Sequence, residues 1–235
     1  MIEHNIPQDT WKQLAGNAAA KLVEDGMLIG LGTGSTATFF IYALAQRMQS
    51  GLHIAGAVPS SQASKDLAEN LGIPITDLDT HPELDLYIDG ADEIDPQLRL
   101  IKGGGGALLH EKIVASNSHR FIVIGDVTKS VTQLGQHFPV PVEVSPFAAT
   151  PVRKRLEALG ASVQLRQLAG STFVTENCNI ILDCAFPKGI VDPENLNAQM
   201  HSIVGVIETG LFLGMAAQAI IGGPDGVTVI RKSDL

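Results

Sequence analysis

Over the first half of this chain, short apolar runs that end in glycine alternate with segments of helical period. That alternation restricts the fold more than any other feature. Trp11, Leu14, Ala15, Ala18, Leu22 and Val23 recur at helical spacing, and Gly26 ends the segment. Residues 27–31 then give an apolar strand signal running into Gly-Thr-Gly-Ser, followed by a helical segment to about residue 48. Further strand signals at 52–58, 84–88 and 121–124 alternate with helical ones at 62–70 and 108–116. Such an order predicts an α/β protein with a parallel, doubly wound sheet. Aromatic residues are only 5% of the chain against 45% apolar, so the core must be Val, Ile, Leu and Ala, as in helix-covered parallel sheets.

The pattern changes near residues 136–141. From Val140 the signals run strand, helix (147–159), strand (162–168), a tight turn at Ala169-Gly170, strand (179–184), helix (193–201) and strand from Val204. That β-α-β-β-α-β order predicts a smaller ferredoxin-like α+β domain. Residues 203–221 are strongly apolar but interrupted by Glu208 and three glycines, and read as buried strand and helix rather than a membrane span. A Gly-Gly-Pro-Asp-Gly turn then precedes a final strand at 227–230, expected to return to the first domain. The expected division is 1–135 with 206–235 as one domain and 136–205 as the other.

Net charge is −9, which argues against nucleic acid or an anionic membrane as partner while leaving room for a small anionic substrate in a locally positive pocket. Cys178 and Cys184 fit no zinc spacing and suggest a reducing, cytoplasmic setting, with both expected to be small buried hydrophobes. Residues 1–9 are polar and mixed in charge and are not expected to be a signal peptide.

Three segments carry candidate chemistry. Gly30-Leu31-Gly32-Thr33-Gly34-Ser35-Thr36 lies between a strand and a helix, where glycines admit a close ligand and helix-start N–H groups with Ser and Thr hydroxyls make an anion site. A strand-to-helix turn with a Ser/Thr cap is the plainer alternative. Asp89-Gly90-Ala91-Asp92-Glu93-Ile94-Asp95 follows a strand, at the strand end where open α/β sheets bind ligands. Its four acids suit acid/base work or a divalent metal, or are a solvated turn, and no metal is expected. Lys102-Gly103-Gly104-Gly105-Gly106 leads into a helix bearing Glu111 about one turn in, facing back toward the loop. His110 projects about 100° away from Glu111 and reads as incidental. An anion cradle, two acids, a lysine and a glutamate suit proton abstraction beside a carbonyl, with Lys102 and backbone N–H groups holding the enediolate.

With GLGTGST, DGADEID and KGGGGALLHEK in that order, the sequence resembles the ribose-5-phosphate isomerases of the A type. The likeness extends over Gly125-Asp126-Val127-Thr128-Lys129, residues 139–144 and Gly223-Pro224-Asp225-Gly226. It implies a Rossmann-like domain with a ferredoxin-like lid, and aldose–ketose isomerisation of ribose 5-phosphate in the non-oxidative pentose phosphate pathway. It also implies a homodimer or homotetramer with no cofactor. Glu111 then matches the catalytic base. Asp89 and Asp92 match acids for ring opening and hydroxyl protons. Lys102 with Gly103, Gly104 and Gly105 matches the group on the open-chain sugar. Thr33, Gly34, Ser35 and Thr36 match the substrate loop, with Gly90 and Ala91 beside it, and Lys12 and Lys129 match basic residues near the phosphate. An amino-sugar phosphate deaminase, a coenzyme A transferase or a sugar-phosphate sensor without turnover are the rival readings.

Overall fold

A computed structural model describes residues 8–232; residues 1–7, most of the polar segment expected not to be a signal peptide, and 233–235 lie outside the described residues. In chain order the elements are α1 (Gln8–Ala20), β1 (Leu28–Leu31), α2 (Ser35–Gln49), β2 (Gly56–Pro59), α3 (Gln62–Asn70), β3 (Leu86–Gly90), β4 (Glu93–Ile94) and β5 (Leu100–Ile101). Then come α4 (Leu108–Ser116), β6 (Phe121–Asp126), β7 (Val140–Val144), α5 (Ala149–Ala158), β8 (Ser162–Leu165), β9 (Gln167–Leu168) and β10 (Ser171–Thr172). The chain closes with β11 (Ile180–Ala185), α6 (Pro193–His201), β12 (Val206–Thr209), β13 (Leu211–Phe212), β14 (Ala216–Gly223) and β15 (Gly226–Arg231). Two compact units result: residues 8–90, Ile113–Lys129 and 215–232 in one, Ala91–Lys112 and Ser130–Gly214 in the other.

The first unit is built on a six-stranded sheet in the order β15-β14-β6-β3-β1-β2, parallel except for β15, which turns back along β14 at the edge. Period-2 alternation sends Ile29, Leu31, Leu86, Ile88, Ile122 and Ile124 into one core with Ala15, Ala19, Phe40, Ile41 and Leu44 of α1 and α2. On the opposite face Tyr87 stacks on Phe121 with ring centroids 5.0 Å apart, and Val114 of α4 comes up against Gly30. Both faces are therefore covered, as the aliphatic composition required. The chain leaves β1 toward β2 and returns to β3 on β1's other side, so the topological switch point lies at the C-terminal ends of β1 and β3.

The second unit contains the expected β-α-β-β-α-β order, with β12-β7-β11-β8 as one antiparallel sheet. Val140, Val142, Val144, Leu182 and Cys184 face Val152, Leu156, Leu196 and Met200 of α5 and α6. The expected turn at Ala169-Gly170 joins β9 to β10, both residues at positive φ (50° and 81°), and the expected strand 162–168 is interrupted at Arg166, which separates β8 from β9.

Three expectations differ from the structure. The apolar run 203–221 contains no helix: Gly205, Gly210 and Gly214 cut it into β12, β13 and β14, and the last pairs parallel with β6. The compact units place 91–112, 130–135 and 206–214 with the second unit. The short strands β4, β5 and β13 pair with each other, Lys102 N–H donates to the Gly210 carbonyl, and Gly210 N–H to that of Pro141. Those bonds knit the segments to β7. Cys178 is exposed in a turn closed onto Thr175, while only Cys184 is buried. Burial, helped by the charge of Asp183, pushes the Cys184 thiol up to about 12. A thiol-disulfide reagent should therefore titrate one fast thiol per folded chain, and Cys178→Ser should remove it; a second thiol equally fast would place Cys184 at the surface.

Candidate active site

In the first unit the loop after β1 closes onto the end of β3. The Asp89 carboxylate, fully buried, accepts hydrogen bonds from Thr33 N–H (2.8 Å), Gly90 N–H (2.7 Å) and the Tyr87 hydroxyl (2.5 Å). Tyr87 and Asp89 are two apart on one strand and so share a face. Gly32 is required there: a Cβ at that position would lie 2.1 Å from Asp89 Oδ1. Gly34 sits at φ 95°, ψ 178°, a backbone region reserved for glycine, and puts no side chain over the start of α2. The first-turn amides of α2, at Ser35 and Thr36, therefore have no side-chain cap from that position. Thr33 Oγ1 is fixed by the hydroxyls of Ser60 (2.9 Å) and Ser61 (2.8 Å).

Two lysines expected near the phosphate, Lys129 and Lys12, lie in the same unit. Lys129 ends the helical turn following β6 and makes no ion pair with a described residue. Gln8 ties the first turn of α1 to Asp126 (3.1 Å) and Thr128 (3.2 Å) beyond β6. Lys12, one turn along α1, pairs with exposed Asp9 at 3.2 Å.

In the second unit Asp92 and Lys102 lie on the hairpin of β4 and β5. Asp92 N–H donates to the Ile101 carbonyl, and Asp92 Oδ2 accepts from Gly104 N–H at 2.8 Å. Lys102 Nζ meets Glu111 Oε2 at 3.2 Å, both side chains at least 95% buried. Glu111 stands in the first turn of α4, its N–H bonded to Ala107. Beneath the pair the Phe212 ring faces Lys102 Nζ at 5.4 Å and Lys112 Nζ at 4.7 Å. Lys112 bonds Glu208 (2.7 Å) and the carbonyls of Thr209 and Leu211; burial pulls its ammonium below the ordinary lysine range and Glu208 partly restores it.

The acidic run separates into two kinds. Glu93 accepts from the backbone N–H groups of Gly135, His137 and Phe138, and Asp95 from those of Gln97 and Arg99 and from the Arg99 guanidinium, so both hold loops. No three His, Cys, Asp or Glu side chains converge as a metal set among the described residues. His110 reaches Asn177 (2.9 Å) and Glu176 (3.5 Å), away from Glu111. Sequence reading missed Tyr87, the serine cluster and Phe212. The period-2 spacing of Tyr87 and Asp89 was a usable signal, as was the Ser-Ser-x-x-Ser helix start at Ser60; Phe212 gave none.

The family model of ribose 5-phosphate isomerase A (phosphoriboisomerase A) matches residues 56–226. The chain belongs to that family. It is 54% identical over 229 residues to ribose-5-phosphate isomerase A of Roseiflexus sp. (strain RS-1), covering 96% of this chain and 97% of the relative. To the enzyme of that name from Synechococcus sp. (strain JA-3-3Ab) it is 50% identical over 228 residues, with 96% and 98% covered. A solved D-ribose-5-phosphate isomerase in complex with phospho-erythronic acid superposes with a TM-score of 0.93 at 40% identity, over 96% of this chain and all of that one. The ribose 5-phosphate isomerase A of Methanocaldococcus jannaschii gives 0.91 at 38% identity, with 96% and 100% covered.

Breaking the Lys102–Glu111 pair from one side should expose its dependence on both partners. Lys102→Met should cost about 3–5 kcal/mol in urea denaturation, because it removes the cation from a buried ion pair. Adding Glu111→Leu should recover most of that; equal stability of the single and double variants would mean the charges are not coupled.

Proposed function

We propose that this chain interconverts D-ribose 5-phosphate and D-ribulose 5-phosphate by proton transfer through a cis-enediolate, with Glu111 as the base. Family membership supports the reaction, and the buried Lys102–Glu111 pair at 3.2 Å carries the assignment of the base. The closed sugar opens with Asp89 and Asp92 handling its hydroxyl protons. Glu111 removes the proton on C2, and negative charge grows on the carbonyl oxygen. Lys102 and the amides of the Gly103–Gly105 run hold that charge where water is excluded. The same carboxyl then returns the proton to C1, since both carbons present one face of a planar intermediate. The amides at the start of α2, with Thr33, Ser35 and Thr36, take the phosphate, and Lys129 and Lys12 add positive charge.

The ligand of the solved relative fits this chemistry. Phospho-erythronic acid joins a phosphate to a carboxylate, whose two coplanar oxygens stand in for the pair that a cis-enediolate carries on its two adjacent carbons. Proton transfer leaves the overall redox state unchanged and so calls for no redox cofactor, and Lys102 supplies beside Glu111 the positive charge that a metal would otherwise bring. No described helix is long and apolar enough to cross a membrane, and the light cysteine content supports a cytoplasmic enzyme of the non-oxidative pentose phosphate pathway. A homodimer or homotetramer is the assembly that the resemblance to the A-type isomerases implies.

Glu111→Gln should retain substrate binding and lose about 10²–10⁴-fold in turnover, the usual contribution of a general base. Near-normal turnover would remove Glu111 from the mechanism. Chelation by EDTA should leave the wild-type rate unchanged; loss restored by Mg²⁺ would reinstate a metal at the acidic run.

A further inference from the structure

The glycine run that follows Lys102 is gripped from behind by a side chain that the isomerisation chemistry does not itself call on. Arg166, between β8 and β9, donates through Nη1 to the carbonyls of Gly103 (2.7 Å) and Gly104 (3.1 Å). Its other edge is held by Asp183 of β11, with Nε to Oδ2 at 3.0 Å and Nη2 to Oδ1 at 2.5 Å, and its carbon lies 5.9 Å from the Phe173 ring centroid. A bidentate carboxylate on one edge and an aromatic face alongside leave the guanidinium one orientation.

The consequence follows from peptide geometry. In a trans peptide the C=O and the next residue's N–H point in opposite directions. Holding the Gly103 carbonyl therefore turns the Gly104 N–H away from Arg166, and that N–H is the one donating to Asp92 Oδ2 at 2.8 Å. Holding the Gly104 carbonyl turns the Gly105 N–H away likewise, and that N–H donates to no described residue. A cation on each carbonyl also polarises its peptide and makes the N–H a stronger donor.

We propose that Arg166, aimed by Asp183, is a positioning residue that makes the Gly105 N–H a preformed donor to the enediolate oxygen and sets Asp92 through the Gly104 N–H. Four consecutive glycines are costly to order, and this guanidinium supplies the order without touching substrate. The inference rests on the enediolate reading above.

The test is Arg166→Ala, with Arg166→Lys and Asp183→Asn as gentler variants, each checked for folding by thermal denaturation. Arg166→Ala should lower kcat by about 10–100-fold, less than the loss of a whole oxyanion donor, and move KM by less than about threefold. Millimolar guanidinium should restore part of that kcat, and Arg166→Lys should restore little. Amide exchange at Gly104, whose N–H is held by Asp92, should quicken in Arg166→Ala. Unchanged kcat, or a loss that guanidinium does not relieve with unchanged exchange at Gly104, would overturn the role. If Arg166→Ala does not fold, Asp183→Asn decides: its kcat should fall about 3–10-fold, as expected for a loosened rather than a missing donor, and a wild-type kcat would overturn the role. Glu111→Gln is assayed in parallel. Full turnover there removes the proton shuttle, whereas full turnover in Arg166→Ala alone removes only the clamp.

Discussion

Burying Lys102 against Glu111 takes two charges out of water, at several kcal/mol per ion even after relaxation. Much of the second unit makes that burial tolerable. The hairpin of β4 and β5 fixes Lys102 at a strand end, and its N–H is tied to Gly210. The first turn of α4 presents Glu111. Phe212 of β13 lies under two ammonium groups, and Glu208 neutralises the second of them, Lys112. An apolar pair of the same volume would serve folding at least as well. Under the proposed mechanism the charges are kept because a carboxylate beside a cation, away from water, suits moving a carbon-bound proton.

Under the proposed mechanism the first unit meets a different need, the recognition of an anion by backbone. Its switch point brings the β1 loop beside the end of β3, and Asp89 binds the two together by accepting from Thr33 and Gly90. Gly32 leaves room for that carboxylate, and Gly34 leaves the start of α2 uncapped. A single short segment, Asp89-Gly90-Ala91-Asp92, thus carries one acid fixed in each unit.

What could be read in the sequence was local. The strand-helix alternation, the split β-α-β-β-α-β order and helix 193–201 rest on periodicity and turn residues within a few positions. The three loops could likewise be recognised from contiguous residues. Facts set by distant partners could not. Arg166 and Asp183 look like ordinary strand charges until β8 and β11 pair and bring them to the glycine run. The membership of 91–112 in the second unit depends on β5 pairing with β13, more than a hundred residues away. Cys178 was misjudged because a short turn, closed by Thr175, outweighs the burial tendency of its residue type.

The central claim is that a carboxylate carries one proton from C2 to C1. Ribose 5-phosphate with deuterium at C2, turned over in ordinary water, tests it most directly. The account predicts ribulose 5-phosphate in which deuterium, diluted by a measurable share of solvent hydrogen, stands at a single stereochemical position on C1, because a buried carboxyl exchanges only part of its proton with water before returning it. Complete retention of deuterium at C1, with no entry of solvent hydrogen, would indicate a direct hydride shift and contradict it.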